Sequence, residues 1–453
     1  MACLLGYQLH LDAFWSQRLA ARREGTDWKL ILQVLTIYRL VDPGSEWRLH
    51  RQGWAGTALD ELLGLHVPVL DKESLHRCLD QLLPPRDALF QHWRARGQDL
   101  FGAKFDVRLY DLTSTYCESD PPFPEGDKRR LGYSRDQRPD CVPVMSALIV
   151  TPEGYPLAYE VWPGHTRDQT PRKAFLEKIG KLYGPAHRIW VMDRGLPTEK
   201  VLAQMRASDP PLHYLVGTPK GRLTQLEKEW VKRSWQPARP SVRVKLWPPA
   251  EELYVFIESQ ERLKKERGIR LRQLRELLGR LQQLQQRQQK LTRDERLLAV
   301  GQAKEQAGRV FGLGQIPWPA AGEGVEARSL QFKLRRGKDR PWRRREGRDL
   351  LRTHLTNPDA KVLWEYYWQL VEIEAAFKLL KDDLNLRPLF HQKESRIEAH
   401  LFVAFLAYGL SVTRRGPWRK RAGGLTARAV LDKSSLRRCR GWTCLFRRPM
   451  GGS

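Results

Sequence analysis

From about residue 104 the chain alternates apolar and polar positions in short runs, FDVRLYDLTSTY, PVMSALIV and PLAYEVWPG, separated by turn-forming stretches. A period of two is the signature of a strand that buries one face, so three successive antiparallel strands are expected. PRKAFLEKIGKLYG follows as a helix, RIWVMDRG as a buried strand ending in a glycine turn, PTEKVLAQMRA as a helix with proline near its first turn, and HYLVGTP as a fifth strand. The order βββαβαβ, closed by a late helix, predicts an α/β fold with a mixed sheet and helices on both sides. The late helix is expected over Trp364–Leu384, where Ile373, Phe377, Leu380 and Leu384 recur at three- and four-residue steps on one buried face. Tyr367, Glu374 and Lys381, seven residues apart, make a second stripe along its edge.

The same patterning divides the chain. Residues 1–103 read as a helical N-terminal region, with DWKLILQVLTIYRLV and DKESLHRCLDQLL as helices and Asp71 capping the second. Residues 104–219 form the first part of the sheet core, 220–358 an insertion domain, 359–410 the closing helices and 411–453 a basic tail of little periodicity, read as disordered or frame-shifted. Within the insertion, SVRVKLW, ELYVFIE, SLQFKL and DLLRTHL look like strands. The charged run from about Glu258 to Glu305, with Leu271, Leu274, Leu278, Leu281 and Leu284 as its seam, looks like a helical hairpin. A second closing helix is expected from about Glu394 to Leu410.

Composition narrows the function. Lys and Arg number 79 against 52 Asp and Glu, a net charge of +27, and such an excess points to a polyanionic partner, nucleic acid first. The basic run RRGKDRPWRRREGR around Trp342 is a candidate for DNA-backbone contact. No apolar run approaches the roughly 20 residues needed to span a bilayer, and the start lacks a leader pattern, so a cytoplasmic protein with no membrane partner is expected. The six cysteines show neither CxxC pairs nor Cys/His ligand spacing, which argues for reduced thiols.

Phosphoryl transfer on DNA by two metal ions needs a few carboxylates on rigid elements, because hard cations such as Mg²⁺ prefer oxygen ligands. Asp111 in the first strand, Asp193 at the end of the buried strand IWVMD and Glu374 on the late helix are the candidates. Together LYDLTSTYCES, GYSRDQRPD, TPEGYPLAYEVWPGHTRD, RIWVMDRG, YLVGTPKG and YWQLVEIEAAFKLLKDDLNLRP resemble the DDE transposases of bacterial insertion sequences, in the group marked by a Tyr–Arg–Glu–Lys signature, over roughly Arg48 to Leu410.

The resemblance implies an RNase H-like core interrupted by a β-rich insertion between its second Asp and its Glu. It implies Asp111, Asp193 and Glu374 as the catalytic, metal-binding triad for two Mg²⁺ ions, with Mn²⁺ as a substitute. Tyr367 matches the signature Tyr and Lys381 the signature Lys, both holding DNA phosphates, with Lys378 and Arg387 as further DNA contacts. The implied partners are terminal inverted repeats, target DNA and a second copy of the chain in the DNA complex.

The chain departs from the pattern at Leu370, where the signature has Arg, at His165, where relatives often have Asn, and in the tail SSLRRCRGWTCLFRRPMGGS, which reads as a frame shift near residue 434. The N-terminus also reads as short for the family, and the resemblance implies contact with DNA ends for residues 1–103. A metal-dependent nuclease without strand transfer and an inactive DNA-binding remnant are the alternatives.

Overall fold

The computed structural model describes residues 6–421 apart from 20–25, 55–62, 64–70, 102–106, 133–135, 137, 166–188, 194–197, 210, 227–228, 231, 249–251, 288–290, 316–331 and 356–358. In chain order the principal elements are α1 (Trp28–Val41), α2 (Lys72–Leu79), α3 (Arg86–Phe101), β1 (Val107–Cys117), β2 (Val142–Val150), β3 (Pro156–Pro163), β4 (Ile189–Met192), α4 (Glu199–Ala207) and β5 (His213–Thr218). They continue with β6 (Gln236–Arg239), β7 (Val242–Trp247), β8 (Leu253–Ser259), α5 (Gln260–Arg287), α6 (Arg293–Ala307), α7 (Arg336–Arg345) and β9 (Arg348–Thr353). The chain closes with α8 (Ala360–Trp368), α9 (Leu370–Lys378) and α10 (Glu394–Arg421). The helix expected over PRKAFLEKIGKLYG and the tail beyond residue 421 lie outside the described residues.

The chain forms two compact units, Met1–His213 with Trp368–Ser453, and Tyr214–Tyr367. In the first, β1 is the central strand of a mixed sheet. It pairs antiparallel with β2 from Leu109↔Val150 to Cys117↔Val142, and β2 pairs antiparallel with β3. On its other side β1 runs parallel to β4, from Val107↔Ile189 to Tyr110↔Met192. The alternation read in the sequence is fully buried in places, because α9 packs on β1 and β2 while α3 and α10 pack on β3. α10 is buried on every side from Ile397 to Thr413, as a helix at the centre of a core must be. Its Phe402 and Phe405 meet Tyr159 of β3 at 6.3 and 5.0 Å, and Phe405 meets Phe90 and Trp93 of α3 at 5.7 and 6.2 Å. No helix among the described residues is long and apolar enough to cross a membrane.

Local chemistry sets several boundaries. The Asp27 side chain accepts the Leu30 amide at the start of α1, Asp71 accepts the Ser74 amide at the start of α2, and Thr198 caps α4. At the end of β3, Gly164 is pressed so close that a Cβ would lie 2.0 Å from the Pro143 carbonyl oxygen and 2.5 Å from that of Arg130. Backbone on both sides cannot give way as a side chain would, so Gly164→Ala is expected to cost about 2–4 kcal/mol, read as a lowered denaturant midpoint. An unchanged midpoint would show that the loop at Arg130 shifts freely.

The second unit carries an antiparallel sheet in the order β5-β9-β8-β7-β6 and the helical hairpin α5–α6. Leu274, Leu277 and Leu281 of α5 pack on Val300 and Ala303 of α6, while Leu271 and Leu278 of the expected seam face outward. The seam is therefore offset by one helical face, toward the partner helix that buries it. SLQFKL is reduced to Lys333–Leu334 among the described residues. The basic run is a helix, α7. Its acids Asp339 and Glu346 turn inward onto Arg270, while Arg336, Lys338, Arg340, Arg343 and Arg344 stay exposed.

Two expectations are corrected here. Trp364–Leu384 is not one helix: α8 ends at Trp368, Gln369 makes a turn, α9 runs to Lys378, and a single π turn covers Leu379–Asp383. The break falls where one compact unit gives way to the other, and no glycine or proline marks it. The final helix also does not stop near Leu410 but continues to Arg421, because Ser411, Val412 and Thr413 are buried with it.

Candidate active site

Parallel pairing brings the two candidate aspartates together. Tyr110 lies opposite Met192, the last residue of β4, so the next residues in that register are Asp111 and Asp193. Both are half-buried. β1 runs on to Cys117 beyond the end of β4, so the two carboxylates sit where the sheet opens at the carboxyl end of a parallel strand, the usual place for a site in an α/β fold. Asp111 Oδ1 accepts the Leu112 amide at 2.7 Å, which fixes its rotamer.

Glu374 is exposed on one flank of α9, while Ile373, Ala376 and Phe377 bury the adjoining face against the core. Burying an apolar side chain of this size contributes about 1.5–3 kcal/mol, which holds the helix, and so Glu374, on the sheet. The neighbouring Glu372 points elsewhere: a Cβ at Gly154, in the β2–β3 turn, would lie 3.8 Å from its Oε2. Two residues apart on a helix is about 200° around the axis, so Glu374 lies on the other flank. Among the described residues, the ligand atoms of Asp111, Asp193 and Glu374 are not gathered within 4.8 Å of one another. Hard carboxylate oxygens on a strand, a strand end and a packed helix nonetheless fit a hard divalent cation.

The expected DNA-holding residues are placed as follows. Lys378 is exposed on α9. Lys381, in the π turn, holds Asp136 at 3.0 Å, and Arg387 holds the same carboxylate. Arg387 also pairs with Asp382 at 3.0 Å. Tyr367 belongs to the second unit, half-buried with its ring 6.4 Å from that of Trp364. Leu370, at the signature Arg position, is buried in the apolar core of the first unit.

A buried polar cluster went unread in the sequence. Glu46 Oε1 lies 3.4 Å from His400 Nδ1, Glu46 Oε2 lies 3.4 Å from His391 Nε2, and the two ring nitrogens are 3.2 Å apart. The ligand atoms of these three residues do lie within 4.8 Å of one another, but the Arg39 guanidinium already supplies their cation, 3.7 Å from Glu46 and 3.4 Å from His400. Arg39 also donates to the Asn385 carbonyl at 3.2 Å. Burial works to raise the Glu46 pKa, yet hydrogen bonds from His391 and His400 overcome it and hold the carboxyl well below its usual range. Burial, then Arg39, lowers His400 to about 4.

His400 thus has a folded pKa below its unfolded value near 6.5 and contributes stability above that value which is lost as pH falls toward about 4. Glu46 is depressed too, so its contribution also fades in acid. Urea midpoints are expected to fall steadily from pH 7 to pH 4.5, and His400→Gln to flatten the slope. An equal slope in the variant would remove His400 from that account.

The comparisons with known proteins bear on this site. A family model described as "Transposase DDE domain" matches residues 92–410. The chain belongs to the transposase DDE domain family. Comparison with the curated proteins finds no match. Among solved structures, the chain is similar to that titled "Cryo-EM structure of piggyBac transposase synaptic complex with hairpin DNA", at 8% identity and a TM-score of 0.43, covering 92% of this chain and 73% of that one. Asp111, Asp193 and Glu374 all fall inside the transposase DDE domain match.

Proposed function

We propose that this member of the transposase DDE domain family cuts DNA at the ends of its own element and joins the freed 3′ ends to target DNA. The observation that carries the reading is the pair Asp111 and Asp193, next in register where β4 ends and β1 continues, inside the matched domain. Asp111, Asp193 and Glu374 would hold Mg²⁺, for which Mn²⁺ would substitute. Such ions, when bound, ease deprotonation of the attacking water or 3′-hydroxyl and offset charge that develops on the phosphate. Lys378, Lys381 and Arg387, with Tyr367, would hold the DNA backbone, and Arg is suited to bidentate phosphate contact. The group with the Tyr–Arg–Glu–Lys signature remains our assignment, with Leu370 breaking the Arg position. Two paired element ends would engage two copies of the chain.

The test is a supercoiled plasmid carrying the DNA that flanks this gene, incubated with the protein in Mg²⁺ or in EDTA. Nicks at the element boundaries in Mg²⁺ alone, with joined products on sequencing, are the expected result. Nicks without joining would favour a nuclease. Binding without nicks in either Mg²⁺ or Mn²⁺ would mean a disabled copy.

A further inference from the structure

Two aspartates grip the same guanidinium from opposite depths. Asp136 comes from the loop GYSRDQRPD and its side chain is 5% exposed; it holds Lys381 at 3.0 Å, 11% exposed, and Arg387, 27% exposed. Asp382 holds Arg387 at 3.0 Å from the outside and is 47% exposed. The carboxylates are thus layered, one beneath the cations and one above.

The inner layer is tied to the sheet. Two residues after Asp136, Arg138 stacks over the Tyr116 ring at 4.8 Å and pairs with Glu118 at 3.6 Å, at the end of β1. The segment bearing Arg387 is tied to the same place. The Glu118 amide donates to the Leu389 carbonyl at 2.8 Å, and the Leu389 amide donates to the Tyr116 carbonyl at 3.1 Å. Asn385, at φ 46°, turns the chain between the π turn and that bridge, which lets Arg387 fold back toward Lys381.

We infer that Asp136 is a positioning residue that welds Lys381 and Arg387 into one phosphate-binding unit, whereas Asp382 is a stand-in that a DNA phosphate displaces. This rests on the reading of those cations as DNA contacts. A carboxylate buried beneath two cations cannot repel a phosphate arriving from solvent as strongly as one exposed beside it, because the cations lie between. It does fix the direction in which both donors point, and Arg binds phosphate well only when its planar fork is aimed. The exposed Asp382 offers little stability of its own, since surface pairs are weak, but it opposes the incoming anion directly.

The two substitutions therefore have opposite signs. Asp136→Asn is expected to weaken binding of a duplex taken from the gene's flanking DNA by about 10-fold, the scale of losing an aimed charge-assisted contact. With Lys381→Ala and Arg387→Ala both in place it should add less than about 2-fold, since no aimed cation is left for Asp136 to hold. Asp382→Asn is expected to tighten binding by roughly 2- to 3-fold at low salt, an advantage that fades as salt rises. Thermal unfolding, followed beside binding, identifies any Asp136→Asn protein that fails to fold, in which case the exposed Asp382→Asn decides alone. Both variants moving affinity the same way, an unchanged or weaker Asp382→Asn, or the full Asp136→Asn loss persisting when Lys381 and Arg387 are both replaced by Ala would overturn the inference. Lys381→Ala binding as tightly as the parent would instead overturn the DNA-holding reading beneath it.

Discussion

Asp111→Asn and Asp193→Asn are each expected to lower DNA cleavage by at least about 1000-fold, roughly 4 kcal/mol of barrier, while leaving duplex binding within about 2-fold. Asn keeps the shape and one acceptor oxygen but removes the negative charge that a hard cation needs. The half-buried setting of both residues makes the loss larger than at an open surface, because water cannot replace the missing charge as well. Glu374→Gln should behave alike, whereas Glu372→Gln, on the flank facing the β2–β3 turn, should keep at least about a third of the activity. Nicking of the flanking-DNA plasmid, scored beside a binding assay on the same preparations, reads both quantities. Equal loss in Glu372→Gln and Glu374→Gln would mean that the helix, not one carboxylate, is being probed.

Glu46→Ala is the stability counterpart. It leaves Arg39 buried at 3% exposure without its carboxylate, and removing one partner of a buried pair costs about 3–5 kcal/mol. The cluster fastens the N-terminal helices to the segment that follows α9, since His391 and Asn385 are both held from it. The urea midpoint is the measurement. The double variant Arg39→Met with Glu46→Leu should recover much of the loss, because an apolar replacement of both charges removes the desolvation cost instead of exposing it. If the double variant is as unstable as Glu46→Ala, packing and not charge is what Glu46 supplies.

What could be read in the sequence depended on whether the signal was local. The strands from Val107 to Met192 announced themselves because alternation and turn residues lie within the segments they describe. The break at Gln369 could not be read, since the apolar stripe runs through it and no glycine or proline marks it. Of the seam leucines, Leu271 and Leu278 carried the same period as their buried neighbours, and only the position of α6 chose between the faces. Asp136 looked like one acid in a Pro/Gly/Arg-rich loop, because Lys381 and Arg387 lie some 250 residues away in sequence. Arg39 did leave a trace: it stands between Tyr38 and Leu40 in the mostly apolar second half of the helix, and a charge buried there requires a partner.

The place of the second unit in the chain also sets the timing of synthesis. Tyr214–Tyr367 is spelled out between Asp193 and Glu374, so about 180 residues separate the second acid from the third. At roughly 10 residues per second, a ribosome takes on the order of 20 seconds to pass from one to the other. His391 and His400, which fasten the closing segment to Glu46, emerge later still. On the proposed reading, a nascent chain already carrying Asp111 and Asp193 has no complete cutting centre, and synthesis interrupted before Glu374 yields a fragment without the third acid. On the same reading, DNA meets that chemistry only after Glu374 and the segment that fastens to Glu46 have both been made.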